Sequence, residues 1–296
     1  MKKIISITLL ACIVFASLLA LVSVISFFTG YEIYRNVSYG DAPCEVMDVY
    51  IPNMAYEREY NGCVLFIHGG SWSGGDKKEE ELRCRSVANN GYIAASINYT
   101  LYSDETKDKY NVGIVLDEID MALAYIKDFT AEMGINVNMA ATAGYSAGAH
   151  LSMLYSYSRQ STAPLEIKFT ANMAGPADIS PEIWGNDLSI VIGERLSGMN
   201  ISEEDIITGE ADEILTLISP VSYVNSDTPP SIFVYGGNDT TVSCKNGEAL
   251  KQKFDTAGVE YKYILLPNAN HALLRNPIKR ISYPIQLIKY CEMYFN

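Results

Sequence analysis

The chain has 296 residues, and setting aside its apolar N-terminal run leaves about 265, enough for one large α/β domain and too few for a second independent one. A formal charge of −13 at pH 7 argues against a basic patch for nucleic acid or an anionic membrane surface. The six cysteines, Cys12, Cys44, Cys63, Cys84, Cys244 and Cys291, form no C-x-x-C pair, so neither a zinc ribbon nor a dithiol redox centre is expected.

Met1, Lys2 and Lys3 lead into an apolar run from Ile4 to Phe28, interrupted only by Ser and Thr, with no charge until Glu32. About 25 such residues are long enough to cross a bilayer. A cleaved signal peptide has a shorter core, roughly 7 to 15 residues, followed by a small-x-small site, and no clean site follows here. Residues 1–30 therefore read as an uncleaved transmembrane anchor, with a cleaved signal as the alternative. Cys12 follows Leu9-Leu10-Ala11, which faintly resembles a lipoprotein cleavage box, but apolar sequence continues well past it. Lys2 and Lys3 place the N-terminus in the cytoplasm, and the expected domain, residues 31–296, outside it.

After residue 45, short apolar runs alternate with helical patterns, which implies a doubly wound, mostly parallel sheet with helices on both faces. The predicted strands are Val46–Ile51, Val64–Ile67, Ile93–Ile97, Met139–Ala143, Phe169–Met173, Ile232–Tyr235 and Tyr261–Leu265. The predicted helices are Glu79–Asn89, Val115–Phe129, Ala147–Tyr157, Asn246–Ala257 and Ile281–Tyr294. Outside the cytoplasm some cysteines could pair, for instance Cys44 with another loop cysteine, whereas Cys63 begins a very apolar strand and reads as a buried small hydrophobe. One stretch breaks the rhythm. Ser180 to Ser219 carries Trp184, Ile190-Val191-Ile192 and the acids Glu203, Glu204, Asp205, Glu210, Asp212 and Glu213. It is too long for a simple connection and reads either as a solvated excursion with a helix or two or as a small cap over a pocket.

The strongest motif is Gly144-Tyr145-Ser146-Ala147-Gly148, which lies between a predicted strand and a predicted helix. A serine there must sit on a sharp, strained turn, and side chains at the two glycines would collide with neighbouring backbone. The turn holds the hydroxyl out over the sheet edge and aims the Ala147 amide at the place where negative charge develops on an attacked carbonyl. A second strand runs into His68-Gly69-Gly70-Ser71-Trp72, whose exposed amides, those of Gly70 and Ser71, supply the remaining donors.

A nucleophilic serine needs a base, and the base needs a carboxylate. Of the three histidines, His68 belongs to the glycine loop and reads as structural, and His150 lies one turn into the helix, pointing along its flank. His271, in a loop beyond the last predicted strand, remains as the base. Asp239 follows the apolar strand and the glycines of Ile232-Phe233-Val234-Tyr235-Gly236-Gly237-Asn238 and is the candidate acid; Asp178 is the fallback.

In this order the motifs resemble the esterase/lipase branch of the α/β hydrolases, and more narrowly the bacterial carboxylesterases grouped with feruloyl and acetylxylan esterases, the BD-FAE-like group. The resemblance runs from about residue 37 to the end, through Asp48-Val49-Tyr50-Ile51-Pro52, Asn98-Tyr99, Ala174-Gly175-Pro176-Ala177-Asp178, Ser219-Pro220-Val221-Ser222-Tyr223-Val224 and Thr228-Pro229-Pro230. It implies an α/β-hydrolase fold with Ser146 as nucleophile, His271 as base, Asp239 as acid, and the Gly70, Ser71 and Ala147 amides as oxyanion hole. Ser71 stands where lipase relatives often have a third glycine, and Thr100 where Arg is frequent. The expected activity is ester cleavage on a small-molecule substrate through an acyl-enzyme, with no metal or organic cofactor. A serine peptidase, an arylformamidase or an acyltransferase would use the same residues, and a binding protein on a degenerate scaffold would usually have lost them.

Overall fold

A computed structural model of the chain describes residues 30–59, 61–273 and 282–295. The expected N-terminal anchor falls almost wholly on residues 1–29 and lies outside the described residues. Among the described residues no helix is long and apolar enough to cross a membrane.

Eight strands form one sheet: β1 (Tyr31–Ser38), β2 (Val46–Pro52), β3 (Asn61–Ile67), β4 (Ile93–Ile97), β5 (Val137–Tyr145), β6 (Glu166–Met173), β7 (Ser231–Gly236) and β8 (Tyr261–Leu266). Their spatial order is β1-β2-β4-β3-β5-β6-β7-β8. β2 runs antiparallel to both of its neighbours, and every pairing from β4 to β8 is parallel. With one antiparallel strand in an otherwise parallel sheet, this is the α/β-hydrolase fold expected from the sequence.

Side chains alternate across a strand, so a central strand covered on both faces is apolar throughout. β3 shows this: Cys63, Leu65 and Ile67 enter one core, Val64 and Phe66 the other. On the first face lie α2 (Val112–Glu132) and α3 (Ala147–Ser158), and toward β7 and β8 α8 (Lys245–Ala257). α1 (Glu81–Asn89) and α9 (Ser282–Tyr294) cover the second. α2 illustrates why these segments are helical. Asn111 caps its N-terminus by accepting from the Ile114 amide, Val115, Ile119, Ala122 and Ile126 fall on one buried stripe, and Gly134 at φ 77° follows its end.

The structure departs from the predicted elements in three places. β1 was not expected; it is an edge strand with a register shift between Tyr34 and Val37, and Asn36 there has φ 53°, so its side chains do not alternate cleanly. The 180–219 stretch holds four short helices rather than one or two: α4 (Pro181–Trp184), α5 (Asn186–Ser197), α6 (Glu203–Thr208) and α7 (Asp212–Leu217). The five described cysteines are free, so no disulfide forms among them; the Cys44 sulfur lies 3.5 Å from Thr100 Oγ1. Cys63 is buried, as expected.

Candidate active site

β5 ends at Tyr145 and α3 begins at Ala147, which leaves Ser146 alone to reverse the chain. Its backbone sits at φ 55°, ψ −122°, a conformation an L-residue holds only when its surroundings impose it. The flanking glycines impose it. A Cβ on Gly144 would lie 2.4 Å from the Gly148 carbonyl, and one on Gly148 would lie 2.0 Å from the Ile67 carbonyl oxygen at the end of β3. The turn thus packs against the strand that leads into the glycine loop, and both motifs meet at one sheet edge.

His271 follows β8 in a loop that folds back over the end of β7, where Gly236 and Gly237 let it approach: a Cβ on either would lie about 2.5 Å from backbone oxygens of Ala269 or Pro267. His271 Nε2 is 2.9 Å from Ser146 Oγ, and Nδ1 is 2.7 Å from Asp239 Oδ2. The pattern fixes the tautomer. Nδ1–H donates to the carboxylate, leaving Nε2 to accept from the serine hydroxyl. The Asp239 side chain is fully buried, and its other oxygen accepts from the Thr241 and Val242 amides at 2.8 and 2.9 Å. Tyr145 supports the histidine from below; its ring lies 5.2 Å from the imidazole and its hydroxyl donates to the His271 carbonyl at 3.0 Å. Burial pushes that phenol up to about 12, so it remains a donor across the neutral range.

The glycine loop passes directly beside the serine: a Cβ on Gly69 would lie 3.3 Å from that of Ser146. Gly70 has φ 116°, and Ser71 and Trp72 follow at 53° and 59°, so the chain turns sharply there. The Gly70 and Ser71 amides donate to no acceptor among the described residues, and Ala147, first in α3, has no preceding turn to donate to. All six residues singled out in the sequence thus fall in four segments that converge at this edge: the glycine loop, the β5–α3 turn and the loops after β7 and β8.

The other candidates sit elsewhere. His68 is buried, stacked on Tyr99 at 4.4 Å, with Nδ1 2.7 Å from the Gly69 carbonyl, and burial lowers its pKa. His150 is fully buried rather than lying along the helix flank. Its Nδ1 accepts from Trp72 Nε1 at 3.2 Å, its Nε2 is 2.8 Å from the Ile218 carbonyl, and burial pushes its pKa down to about 4. Asp178 accepts from the Ser180 amide and lines a cavity of about 660 Å3 walled by α4, α6 and α7. A second, more apolar cavity of about 420 Å3 lies behind Tyr145, between α1 and α9. Neither is lined by Ser146 or His271. No three His, Cys, Asp or Glu side chains gather to hold a metal ion among the described residues.

Two features were missed in the sequence. Arg195, in α5, donates to the Ser71 carbonyl at 3.0 Å, so the 180–219 stretch reaches the glycine loop. Lys77 is buried, pairing with Asp48 at 2.6 Å and with Asn36 Oδ1 at 2.8 Å, which ties β1 and β2 to the chain leaving that loop. Only Asp48 carried a hint, as a charge inside an apolar run.

Comparison with known proteins agrees with this fold. The family model BD-FAE matches residues 47–254. Esterase LipQ of Mycobacterium tuberculosis is 26% identical over 214 residues, covering 71% of this chain and 49% of LipQ. Esterase LipC of the same organism is 24% identical over 250 residues, covering 80% and 59%. The chain thus spans about half the length of these relatives. Among solved structures, esterase B from Lactobacillus rhamnosis superposes with a TM-score of 0.69 at 19% identity, covering 96% of this chain and 95% of that one, a likeness of fold.

Proposed function

The chain belongs to the BD-FAE family, and from that premise we propose that it is a serine carboxylesterase whose nucleophile is Ser146. The observation that carries this is the pair of hydrogen bonds linking Ser146, His271 and Asp239 on a strained strand-to-helix turn. In this reading Ser146 Oγ attacks an ester carbonyl while His271 Nε2 takes its proton. Asp239 holds the imidazole in the right tautomer and stabilises the imidazolium. The amides of Gly70, Ser71 and Ala147 take up the charge on the carbonyl oxygen. His271 then returns the proton to the leaving alcohol, and water, activated by the same histidine, releases the acid from the acyl-enzyme. Ester cleavage is favoured by the names of LipQ and LipC, whereas amide cleavage is what the name of a third relative indicates, the kynurenine formamidase of Salmo salar, 22% identical over 80% of this chain.

The 180–219 excursion is read as a cap on this site, because Arg195 reaches the glycine loop. Residues 1–30 are read as a membrane anchor that holds the domain outside the cytoplasm, supported by the uncharged run from Ile4 to Phe28. Sedimentation with membranes through an alkaline carbonate wash would bear out an anchor; release into the wash would refute it.

The test of activity is hydrolysis of p-nitrophenyl esters, acetate through octanoate, by the full chain beside Ser146→Ala. Turnover by the wild type and none above background in the variant is the expected result. A folded wild type inert to these esters and to a fluorophosphonate probe would overturn the reading.

A further inference from the structure

Ser71 and Trp72 are consecutive non-glycine residues in the left-handed region, and such strain persists only where neighbours over-determine it. Two sets of contacts do so. From one side, Arg195 in the last turn of α5 donates from Nη1 to the Ser71 carbonyl at 3.0 Å while its guanidinium lies 5.0 Å over the Tyr102 ring. The Tyr102 amide itself donates to the Trp72 carbonyl at 2.8 Å, so the ring beneath Arg195 is anchored to the same turn. From the other side, Trp72 donates through Nε1 to His150 Nδ1, which leaves the His150 proton on Nε2, facing the Ile218 carbonyl.

Arg195 and Ile218 both belong to the 180–219 excursion, one in its second helix and one just past its last. The excursion therefore grips the strained turn twice, directly and through the helix that carries Ser146. Arg195 has no carboxylate partner among the described residues, and its Nε is buried without a hydrogen bond. A full cation is committed to one carbonyl, a charge-assisted bond stronger than a neutral one. That carbonyl belongs to the residue whose amide is a proposed oxyanion donor.

We propose that Arg195 is a positioning residue: by holding the Ser71 carbonyl it fixes the turn that presents the oxyanion donors, so the 180–219 excursion acts on the chemical step and not only on the pocket wall. This rests on the esterase reading. An amide displaced from the oxyanion position loses part of its effect on the transition state while the ground-state ester binds as before, so the loss falls on kcat.

The experiment compares the full chain with Arg195→Met, which keeps the apolar stem, Arg195→Lys, which restores a donor, and Leu188→Ser on the exposed face of α5. With p-nitrophenyl acetate, kcat of Arg195→Met should fall about tenfold, short of the roughly 100-fold lost with a whole oxyanion donor. KM should stay within about twofold, and the rate of fluorophosphonate labelling should fall in parallel with kcat. Arg195→Lys should recover part of the loss, and Leu188→Ser should match the wild type. An unchanged kcat with a raised KM or a shifted chain-length preference would make Arg195 a pocket wall and overturn the proposal. So would a lowered melting temperature with kcat per labelled site unchanged. A wild type without esterase activity would instead defeat the functional reading, and this inference with it.

Discussion

Asp239 carries its charge in a fully buried side chain, with one oxygen capped by two backbone amides and the other facing His271. An asparagine would keep the amide contacts through its carbonyl oxygen but present an NH2 to His271 Nδ1, forcing the proton to Nε2 and removing the base. Asp239→Asn is expected to fold normally and lose about 10³- to 10⁴-fold in kcat toward p-nitrophenyl acetate. A loss under tenfold would return Asp178 to consideration. At this scale the sequence was informative because chemistry restricts residue type. With three histidines in the chain, two of them bound to other motifs, His271 was left by elimination. Arg195 and Lys77 were illegible for the opposite reason: each is defined by a partner more than 25 positions away, and nothing in an isolated Arg or Lys says which carbonyl or carboxylate it will meet.

Elements were legible where their periodicity survives burial. The central strands are continuous apolar runs, and the observed bounds extend the predicted ones mainly at their ends. β1 escaped because an edge strand is buried on one side only and the irregularity at Asn36 interrupts even that pattern. The acidic stretch hid its helices in plain view: Ser202 and Asp205 form a capping box at the start of α6, and Gly198 and Gly209 close α5 and α6 at φ 72° and 80°. Those signals were read only as a solvated excursion with a helix or two, or as a small cap. The junction of β5, α3 and β3 is where elements meet with least tolerance. Adding one methyl group as Gly148→Ala would set a carbon 2.0 Å from the Ile67 carbonyl oxygen, forcing α3 away from the glycine loop. The variant should lose at least about 3 kcal/mol of stability by urea denaturation, at the upper end for overpacking, because the clash is with backbone. Near-wild-type stability would mean that the junction relaxes.

Across the whole molecule, two buried groups pull the dependence of stability on pH in opposite directions. Burial holds His150 near 4, below its ordinary 6.5, so its contribution is present above about pH 6.5 and is lost as pH falls toward 4. Glu80 is buried with Arg83 Nε 3.1 Å away but not aligned for a hydrogen bond, and burial raises its carboxyl from 4.5 to about 7. Its contribution is present below about pH 4.5 and is lost as pH rises through 7. Glu80→Gln removes the second dependence, so its urea midpoint should gain on the wild type between pH 4.5 and 7 and run parallel above. Curves that stay parallel throughout would mean that Arg83 keeps Glu80 ionised.

The register of β1 has a consequence for how substrate arrives. Tyr31 pairs with Pro52, at the edge of the sheet where the parallel strands begin, while Ser146 lies at the edge where they end. If residues 1–30 act as the proposed anchor, the chain enters the sheet at the edge opposite the serine. A molecule tethered that way would turn its back to the lipid and open toward bulk water. It would meet esters by diffusion in three dimensions, as solutes or as groups on large polymers, rather than drawing them sideways out of the membrane that holds it.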